Sequence, residues 1–421
     1  MTRQQRKKWL PPAFVFFGIV AFLTIERFPE TRATANATPA SSNERTLRVG
    51  DDFLNGEIAI DSAFLKNDEY HVRLYDKAKA VLTLNAELQT RVEDALERAK
   101  APEAAAVVMS LDGRILALTG RENGTEEKPS LALTSWAPAA SIFKLVTTAA
   151  LLQQGLSAKT TACYRGGWRG INKEHLTEPE TDRLCDDLRG ALGRSINSIY
   201  ANLATQHLSA NSLQQMAERL GFGKTTPFAV DWTAGWAEVP KEPLELARTA
   251  AGFWHSKLSV LGAAQLTATF ANGGLAPTPR LVERVVYPDG HVQQVTSAPY
   301  ERVISKATAQ AVAEMMVATT ESGTAKGGFR DPRGKRFLGD MSIAGKTGSL
   351  SQSKPYRGFS WFVGFAPADK PVYIVAVLLA NPLEWHLKAH TVARMVLEAA
   401  FAKVPPVPKL ARANSTNNAS W

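Results

Sequence analysis

Three short motifs, Ser141-Ile142-Phe143-Lys144, Ser195-Ile196-Asn197 and Lys346-Thr347-Gly348, decide the fold and the chemistry predicted for this chain. A serine hydroxyl is almost never ionised at neutral pH, so a nucleophilic serine needs a base that accepts its proton. On a helix, a lysine three residues after a serine lies on the same face. Burial near a second cation lowers the pKa of a lysine, and the neutral amine can then be that base. The later motifs would bring a hydroxyl, an amide and a second cation to the same cleft.

Segments that flank these motifs carry a wider resemblance. Trp136–Ala140 precedes the first motif, Ala271–Gly274 closes an apolar helical stretch, and Trp361–Pro367 follows the third motif. With these segments, residues 82–402 resemble the transpeptidase domain of penicillin-binding proteins, whose motif set is shared with serine β-lactamases. Each motif alone would be a common surface pair or turn. Their joint occurrence, in this order, favours the functional interpretation.

We hypothesise one catalytic role for each of five residues. Ser141 attacks a carbonyl carbon and becomes an acyl-ester, and Lys144 accepts its proton. Ser195 relays a proton to the leaving amine. Asn197 donates a hydrogen bond to the substrate backbone and orients the first lysine. Lys346 lowers the pKa of that lysine and attracts a substrate carboxylate.

Substrate binding is assigned to the residues of the third motif and the one after it. Thr347 is expected to hydrogen-bond the same carboxylate, and Gly348 leaves room for close backbone approach on an edge strand. The resemblance implies an oxyanion hole formed by the backbone N–H groups of Ser141 and Ser349. Neither a metal nor a cofactor is predicted.

The fold class predicted is α/β of the α+β type, an antiparallel sheet flanked by helices with an inserted, mostly helical subdomain, similar to β-lactamases and transpeptidases. Asp112-Gly113 predicts a hairpin between residues 105–109 and 114–118. Met341–Ala344 is expected to lead into the third motif as a short strand, and residues 359–365 and 372–380 to form two more. Helices are predicted at about residues 87–100, 141–154, 192–208, 213–220, 261–272, 308–320 and 388–401.

Composition divides the chain into five segments. They are a cytoplasmic stub with a membrane anchor (1–27), a linker rich in Thr, Ala, Ser, Asn and Pro (28–45), a small extension (46–81), the transpeptidase domain (82–403) and a disordered tail (404–421). These segments are too short for a glycosyltransferase or a large dimerisation domain, so cell-wall synthesis proteins are expected as partners.

The N-terminus predicts where the protein resides. Trp9–Ile25 carries no charge, and Arg3, Arg6, Lys7 and Lys8 precede it. An apolar stretch of this length is near the lower limit for a span, and the cations favour a cytoplasmic N-terminus. We therefore expect a single-pass protein of the bacterial cytoplasmic (inner) membrane with its catalytic domain outside. Small-x-small sites near Ala33 leave a cleaved signal peptide as the alternative.

Two cysteines and a charge excess complete the composition. Cys163 and Cys185 either form a disulfide in an oxidising compartment or stay reduced. They form no CxxC, and His386 and His390 lack a third ligand, so no metal site is expected.

The net charge of +9 comes without a basic stretch interleaved with aromatics, which argues against nucleic-acid binding. The glycines at 339–347 are spaced one residue too far for a phosphate-binding loop.

The resemblance implies a membrane-anchored D,D-transpeptidase. Its substrates would be peptidoglycan stem peptides that end in D-Ala-D-Ala, and β-lactams would inhibit it. A serine β-lactamase, a D,D-carboxypeptidase, and a non-catalytic β-lactam-binding sensor or scaffold remain as alternatives. The context of Glu242 and Glu245 does not match the glutamate loop of class A β-lactamases. The presence of Asn197 also disfavours the β-lactamases that use a carbamylated lysine.

Overall fold

A computed structural model of the chain describes residues 45–224 and 226–402. The strands are β1 (Arg45–Val49), β2 (Phe64–Lys66), β3 (Glu69–Arg73), β4 (Lys79–Leu82), β5 (Glu103–Ser110), β6 (Ile115–Glu122), β7 (Glu126–Glu127), β8 (Ala137–Pro138), β9 (Thr161–Tyr164), β10 (Leu184–Asp187), β11 (Gly235–Ala237), β12 (Ser256–Leu258), β13 (Leu275–Ala276), β14 (Val282–Val286), β15 (Val292–Thr296), β16 (Glu301–Arg302), β17 (Ala344–Ser353), β18 (Tyr356–Ala366) and β19 (Tyr373–Asn381). The helices are α1 (Ala86–Ala99), α2 (Lys144–Gln153), α3 (Leu188–Arg194), α4 (Asn197–His207), α5 (Ala210–Arg219), α6 (Pro243–Ala251), α7 (Val260–Ala271), α8 (Lys306–Glu321), α9 (Lys326–Phe329) and α10 (Ala389–Phe401).

The central sheet has the strand order β17-β18-β19-β5-β6-β7, and every neighbouring pair in it is antiparallel. The predicted hairpin at Asp112-Gly113 joins β5 to β6. Gly113 has a φ of 88°, and a Cβ atom there would lie 2.2 Å from the carbonyl oxygen of Thr278, so the turn requires glycine. The predicted antiparallel sheet is therefore present.

Helices cover both faces of this sheet and bury two hydrophobic cores. Along β19, Ile374 and Leu378 enter the core shared with the helical region, whereas Val375 and Val377 enter the core that also contains residues of α1 and α10. Because successive side chains of a strand point to opposite faces, a strand covered on both sides becomes continuously apolar. This explains the unbroken apolar sequence of β19.

The predicted continuous helix at residues 192–208 is wrong. The chain forms α3, then Ser195 in the left-handed conformation with a φ of 56°, then α4. Backbone N–H groups of Ser195 and Ile196 donate to the carbonyls of Leu192 and Ala191, which ends α3. Gly193, just before this break, lets α3 pack closely on α8, because a Cβ atom there would lie 2.8 Å from the Cβ of Ala318.

Two predicted boundaries around the other motifs also shift. The third motif lies inside β17, which begins at Ala344, so residues 341–343 are not a strand as predicted. The first motif starts in a 3-10 turn, Ala140–Phe143, and only from Lys144 does the chain become α-helical. The other predicted helices agree with α1, α5, α7, α8 and α10 to within about three residues.

A second six-stranded sheet, ordered β1-β15-β14-β4-β3-β2, contains the predicted N-terminal extension. β1 is parallel to β15, and β4 is antiparallel to β14. Of the strands in this extension, β1 and β4 are thus hydrogen-bonded to strands that lie within residues 282–296. The predicted membrane anchor, nearly all of the linker and the predicted tail lie outside the described residues. Among residues that the structure describes, no helix is long and apolar enough to cross a membrane.

Asp51, which follows β1 in the second sheet, gives a prediction for the pH dependence of stability. Its Oδ2 accepts backbone N–H groups of Leu281 at 2.7 Å and Val282 at 3.0 Å. Burial raises the pKa of Asp51 from 3.8 to about 6, although the two hydrogen bonds favour the charged form and lower it. The folded-state pKa exceeds the unfolded one, so this group lowers the free energy of unfolding as pH rises through that interval. Between pH 5 and 7 we expect a loss of about 1 kcal/mol from this group.

Urea unfolding of wild type and Asp51→Asn across this pH range measures the effect. The amide oxygen can still accept both N–H groups, so Asp51→Asn should be relatively more stable at neutral than at acidic pH. Asp52→Asn, at the exposed neighbouring position, is the control. A difference between wild type and Asp51→Asn that does not change with pH would contradict the prediction.

Candidate active site

Ser141 is presented by the 3-10 turn that opens α2. Ala140, the residue before it, has a φ of 49°, in the left-handed region that non-glycine residues rarely adopt. Two contacts hold this turn: the indole N–H of Trp361 donates to the carbonyl of Pro138 at 2.9 Å, and the N–H of Ala139 donates to the carbonyl of Ser256 at 3.2 Å. The approach segment that precedes the nucleophile is thereby tied to two strands.

Lys144 is fully buried and lies against three acceptors. Its Nζ is 2.9 Å from Ser141 Oγ, 2.8 Å from Asn197 Oδ1 and 2.5 Å from the carbonyl oxygen of Ala251. The first contact has the length required for proton transfer between a nucleophile and its base. The tertiary structure thus joins the first two motifs through this amine.

Lys346 joins the third motif to the second. Its side chain is fully buried, and its Nζ is 2.9 Å from Ser195 Oγ and 2.8 Å from the carbonyl oxygen of Thr347. The left-handed conformation of Ser195 directs its hydroxyl at this lysine rather than along a continuous helix. All five predicted catalytic residues therefore lie in two hydrogen-bonded groups at one site.

Burial governs the protonation of both lysines. It lowers the pKa of Lys144 well below 10.5, and the nearby positive charge of Lys346 lowers it further. It lowers the pKa of Lys346 to about 7. Because an ammonium group loses hydration in a buried site, burial makes the neutral amine of each lysine more accessible than it is in water. The site can therefore provide the base that Ser141 needs.

Asn197 has its amide oriented by contacts on both sides. Its oxygen accepts from Lys144, while its Nδ2 donates to the carbonyl of Gly167 at 2.9 Å and approaches that of Trp168 at 3.4 Å. This arrangement gives Asn197 the orienting part of its predicted role. The hydrogen bond to substrate remains a prediction.

The predicted substrate-binding residues follow one another along β17. Thr347 Oγ1 lies 2.5 Å from Thr324 Oγ1. A Cβ atom at Gly348 would lie 3.3 Å from Ile142 Cγ1 and 3.4 Å from Ala140 Cβ, so glycine lets β17 pass close to the nucleophile turn. Ser349 is exposed and pairs with Ser360 of β18. Thr324 was not predicted from the sequence, because Gly323-Thr324 shortly after α8 is only a weak signal.

Two further buried side chains support Lys144 and were also missed. The ring centre of Tyr200 lies 5.5 Å from Lys144 Nζ, and the Tyr200 hydroxyl lies 2.6 Å from that of Thr148. Tyr200 follows Asn197 by three residues, so both lie on one face of α4. The sequence does show this helical spacing. Tyr200 was nevertheless not predicted, because an aromatic residue on a buried helix face is usually an ordinary core residue.

A disulfide between Cys163 and Cys185 joins β9 to β10. The loop between these strands carries Gly167 and the exposed Trp168.

A cavity of about 440 Å³ lies beside this loop, and its lining includes Trp168, Asn197 and Thr324. A larger groove of about 690 Å³, between α7, α8 and the turn from β18 to β19, contains none of the motif residues. Among the residues described, no group of three or more His, Cys, Asp or Glu side chains could hold a metal ion.

Comparison with known proteins places these features in a family. A family model described as the penicillin binding protein transpeptidase domain matches residues 104–398. Over 303 residues the chain is 28% identical to the peptidoglycan D,D-transpeptidase PbpA of Mycobacterium tuberculosis, covering 68% of this chain and 59% of that protein. The chain spans between 51% and 59% of the length of the PbpA proteins of Mycobacterium tuberculosis and Mycolicibacterium smegmatis.

Solved structures give the same likeness. The D,D-transpeptidase domain of a peptidoglycan glycosyltransferase from Eggerthella lenta matches with a TM-score of 0.62 and 26% identity, covering 76% of this chain and 82% of that chain. Penicillin-binding protein A from M. tuberculosis, as a penicillin G acyl-enzyme complex, matches with a TM-score of 0.59 and 24% identity, covering 76% and 80%. These likenesses confirm the predicted fold class.

Proposed function

We propose that this chain, which belongs to the penicillin-binding protein transpeptidase family, is a serine D,D-transpeptidase that cross-links peptidoglycan stem peptides and is inhibited by β-lactams. The observation that supports this most directly is the contact of the fully buried Lys144 Nζ with Ser141 Oγ, at 2.9 Å. The relative PbpA bears the name peptidoglycan D,D-transpeptidase, which agrees with this activity.

Acylation follows from the two hydrogen-bonded groups. Neutral Lys144 takes the proton of Ser141 as Oγ attacks the carbonyl carbon of the penultimate D-Ala, and negative charge develops on the carbonyl oxygen. Backbone N–H groups of Ser141 and Ser349 would stabilise that charge. The C–N bond then breaks, and terminal D-Ala leaves as an amine after it gains a proton through Ser195. Lys346, which contacts Ser195, is placed to restore that proton.

The second half of the reaction separates transpeptidases from hydrolases. An amine from a neighbouring stem peptide would attack the acyl-ester, and the C–O bond to Ser141 would break as Lys144 returns the proton to Ser141 Oγ. The proton that the attacking amine loses would pass through Ser195 to Lys346, which restores both lysines.

A β-lactamase instead needs a base that activates water. Glu245 has one carboxylate oxygen 2.6 Å from Arg248 and the other 2.9 Å from His255, so both oxygens are already occupied. Glu242 accepts the N–H of Glu245 at the start of α6. These contacts favour transfer to an amine over β-lactam hydrolysis.

The proposed location is the outer face of the bacterial cytoplasmic membrane. The uncharged segment Trp9–Ile25 after four cations supports an N-terminal anchor, and cell-wall synthesis proteins are proposed as partners. The disulfide between Cys163 and Cys185 supports an oxidising compartment outside the cytoplasm. Only there would the catalytic domain meet its polymer.

The intact mass of the full-length chain in detergent, followed over time with benzylpenicillin, tests this function. We expect a long-lived adduct that maps to Ser141. Incubation with a D-Ala-D-Ala-ended stem peptide and an amine acceptor should then yield D-Ala and a cross-linked product. A transient adduct with rapid loss of the drug would indicate a β-lactamase instead, and release of D-Ala without cross-linking would indicate a carboxypeptidase. The absence of any adduct would contradict the assignment.

A further inference from the structure

The carboxyl end of α6 meets the catalytic lysine. The last carbonyl groups of a helix have no partner within the helix and need one from elsewhere. In α6, the carbonyls of Arg248 and Thr249 accept the N–H groups of Phe253 and Gly252. The next carbonyl, of Ala250, accepts the hydroxyl of Thr147 at 2.9 Å, and that of Ala251 accepts Lys144 Nζ at 2.5 Å. Two side chains of α2 therefore complete the end of α6.

A neutral amine can donate only two hydrogen bonds, and this limits how Lys144 contacts its three partners. Such an amine has two N–H groups and one lone pair. The Oδ1 atom of Asn197 and the carbonyl oxygen of Ala251 are acceptors only, so each of them takes one N–H of Lys144. The third partner, the Ser141 hydroxyl, can donate its proton, so the lone pair is left facing the nucleophile.

We propose that the Ala251 carbonyl orients the neutral Lys144 amine so that its lone pair faces Ser141. Thr147 is the positioning residue that holds the end of α6, and with it the Ala251 carbonyl, through its hydrogen bond to the adjacent carbonyl of Ala250. This inference rests on the proposed function, because it concerns acylation of Ser141. Once the lysine has taken the proton, its three N–H groups match the same three oxygens, so no rotation of the side chain is needed between the two states.

Local packing makes the position of the Ala251 carbonyl definite. Gly252 has a φ of 89°, and a Cβ atom there would lie 2.3 Å from the Ala140 carbonyl oxygen and 3.0 Å from Ser141 Cα. The end of α6 therefore touches the nucleophile turn directly. Thr147 is fully buried and lies three residues after Lys144, on the same face of α2. One helix face thus carries the base and the side chain that bonds the carbonyl of Ala250, next to the acceptor of the base.

The electrostatic effect of this acceptor opposes the other influences on Lys144. A carbonyl at the negative end of a helix favours the ammonium form. Burial and the positive charge of Lys346, which faces Lys144 from β17, favour the neutral amine. The phenol of Tyr200 faces it from α4, and burial raises the pKa of that phenol, so it stays uncharged. Loosening the Ala251 contact should therefore make the ammonium form less stable.

Thr147→Val tests this role, since it removes the hydroxyl and keeps the branched shape. We expect the second-order rate constant for acylation of the full-length protein by benzylpenicillin to fall about tenfold, because the lone pair is less well aligned. We also expect the acidic limb of its pH profile to move to lower pH by about half a unit to one unit. A merely structural defect would lower the rate without moving that limb.

Three further variants complete the experiment. Thr147→Ser retains the hydroxyl and should keep the wild-type profile, whereas Thr147→Ala should reproduce the shift even if the valine variant does not fold. Thr267→Val is the matched control, because Thr267 is equally buried and, among the described residues, its hydroxyl bonds only to the carbonyl of Ala263 within α7, at 2.7 Å. Thr147 makes the corresponding contact with the carbonyl of Phe143, at 3.3 Å, in addition to its bond to α6.

The possible failures are distinguishable. A wild-type protein that forms no adduct would remove the proposed function and this inference with it. A wild-type protein that is acylated, with an acidic limb that stays in place in Thr147→Val and Thr147→Ala, would overturn the positioning role alone. An equal shift in Thr267→Val would also overturn it, because the effect would then follow from any lost buried hydroxyl.

Discussion

Replacing Ser141 with alanine is expected to abolish covalent labelling by benzylpenicillin at every pH. The Oγ of Ser141 forms the new bond to the carbonyl carbon, so its loss removes the acyl-enzyme itself rather than one contribution to its rate. The Ser141 side chain makes one hydrogen bond among those of the described residues, to Lys144. The fold should therefore persist in Ser141→Ala. Intact mass after prolonged incubation, together with a thermal melt, measures both expectations.

Ser195→Ala is the matched control for this experiment. It also removes one hydroxyl that contacts a buried lysine, here Lys346 at 2.9 Å, but leaves the nucleophile in place. We expect Ser195→Ala to form the adduct slowly and Ser141→Ala not to form it at all. A penicillin-sized mass increase on folded Ser141→Ala would show that another residue is the nucleophile, and the proposed mechanism would be wrong.

Lys144→Met should reduce the acylation rate constant by about 10²- to 10⁴-fold, the contribution typical of a general base. Methionine has nearly the length of lysine but neither its charge nor its lone pair. In wild type, burial and Lys346 place the pKa of Lys144 below 10.5, so the rate should rise with pH as the ammonium loses its proton. Residual acylation in Lys144→Met should lack this limb, because the group that titrates is gone.

The measurement is the second-order rate constant with a fluorescent penicillin across the pH range. Lys128→Met removes a partly exposed lysine that pairs with Glu122 at 2.7 Å, and it should leave the profile unchanged. If the acidic limb persisted in a folded Lys144→Met, another group would control acylation. An unchanged rate would exclude Lys144 as the base.

The helices and the hairpin were predictable because their signals are local. Apolar periodicity placed α1, α7 and α10, and Asp112-Gly113 placed the turn between β5 and β6. The break at Ser195 was not predictable in this way, because residues 192–208 are locally compatible with one helix. Contact between Gly193 and Ala318 of α8, more than a hundred residues away in sequence, accompanies the break.

The proposed catalytic groups also divide into those with a local sequence signal and those that only the packing of distant segments reveals. The sequence predicted Ser141, Lys144 and Lys346 as catalytic residues, because motif order and helical spacing are properties of the chain alone. Thr324, Tyr200 and the Ala251 carbonyl carry weak signals or none, since a backbone carbonyl is present at every residue. Their roles follow from where α4, α6 and α8 pack.

The amino-acid sequence alone specifies which chemical groups are available, their order, and the family to which the chain belongs. How the two lysines are used depends on the fold. It buried Lys144 and Lys346, which lowers the pKa of each. It also set Asn197 and Ala251 around the first amine. The physical reason is that desolvation and hydrogen-bond direction depend on groups brought together from distant parts of the chain.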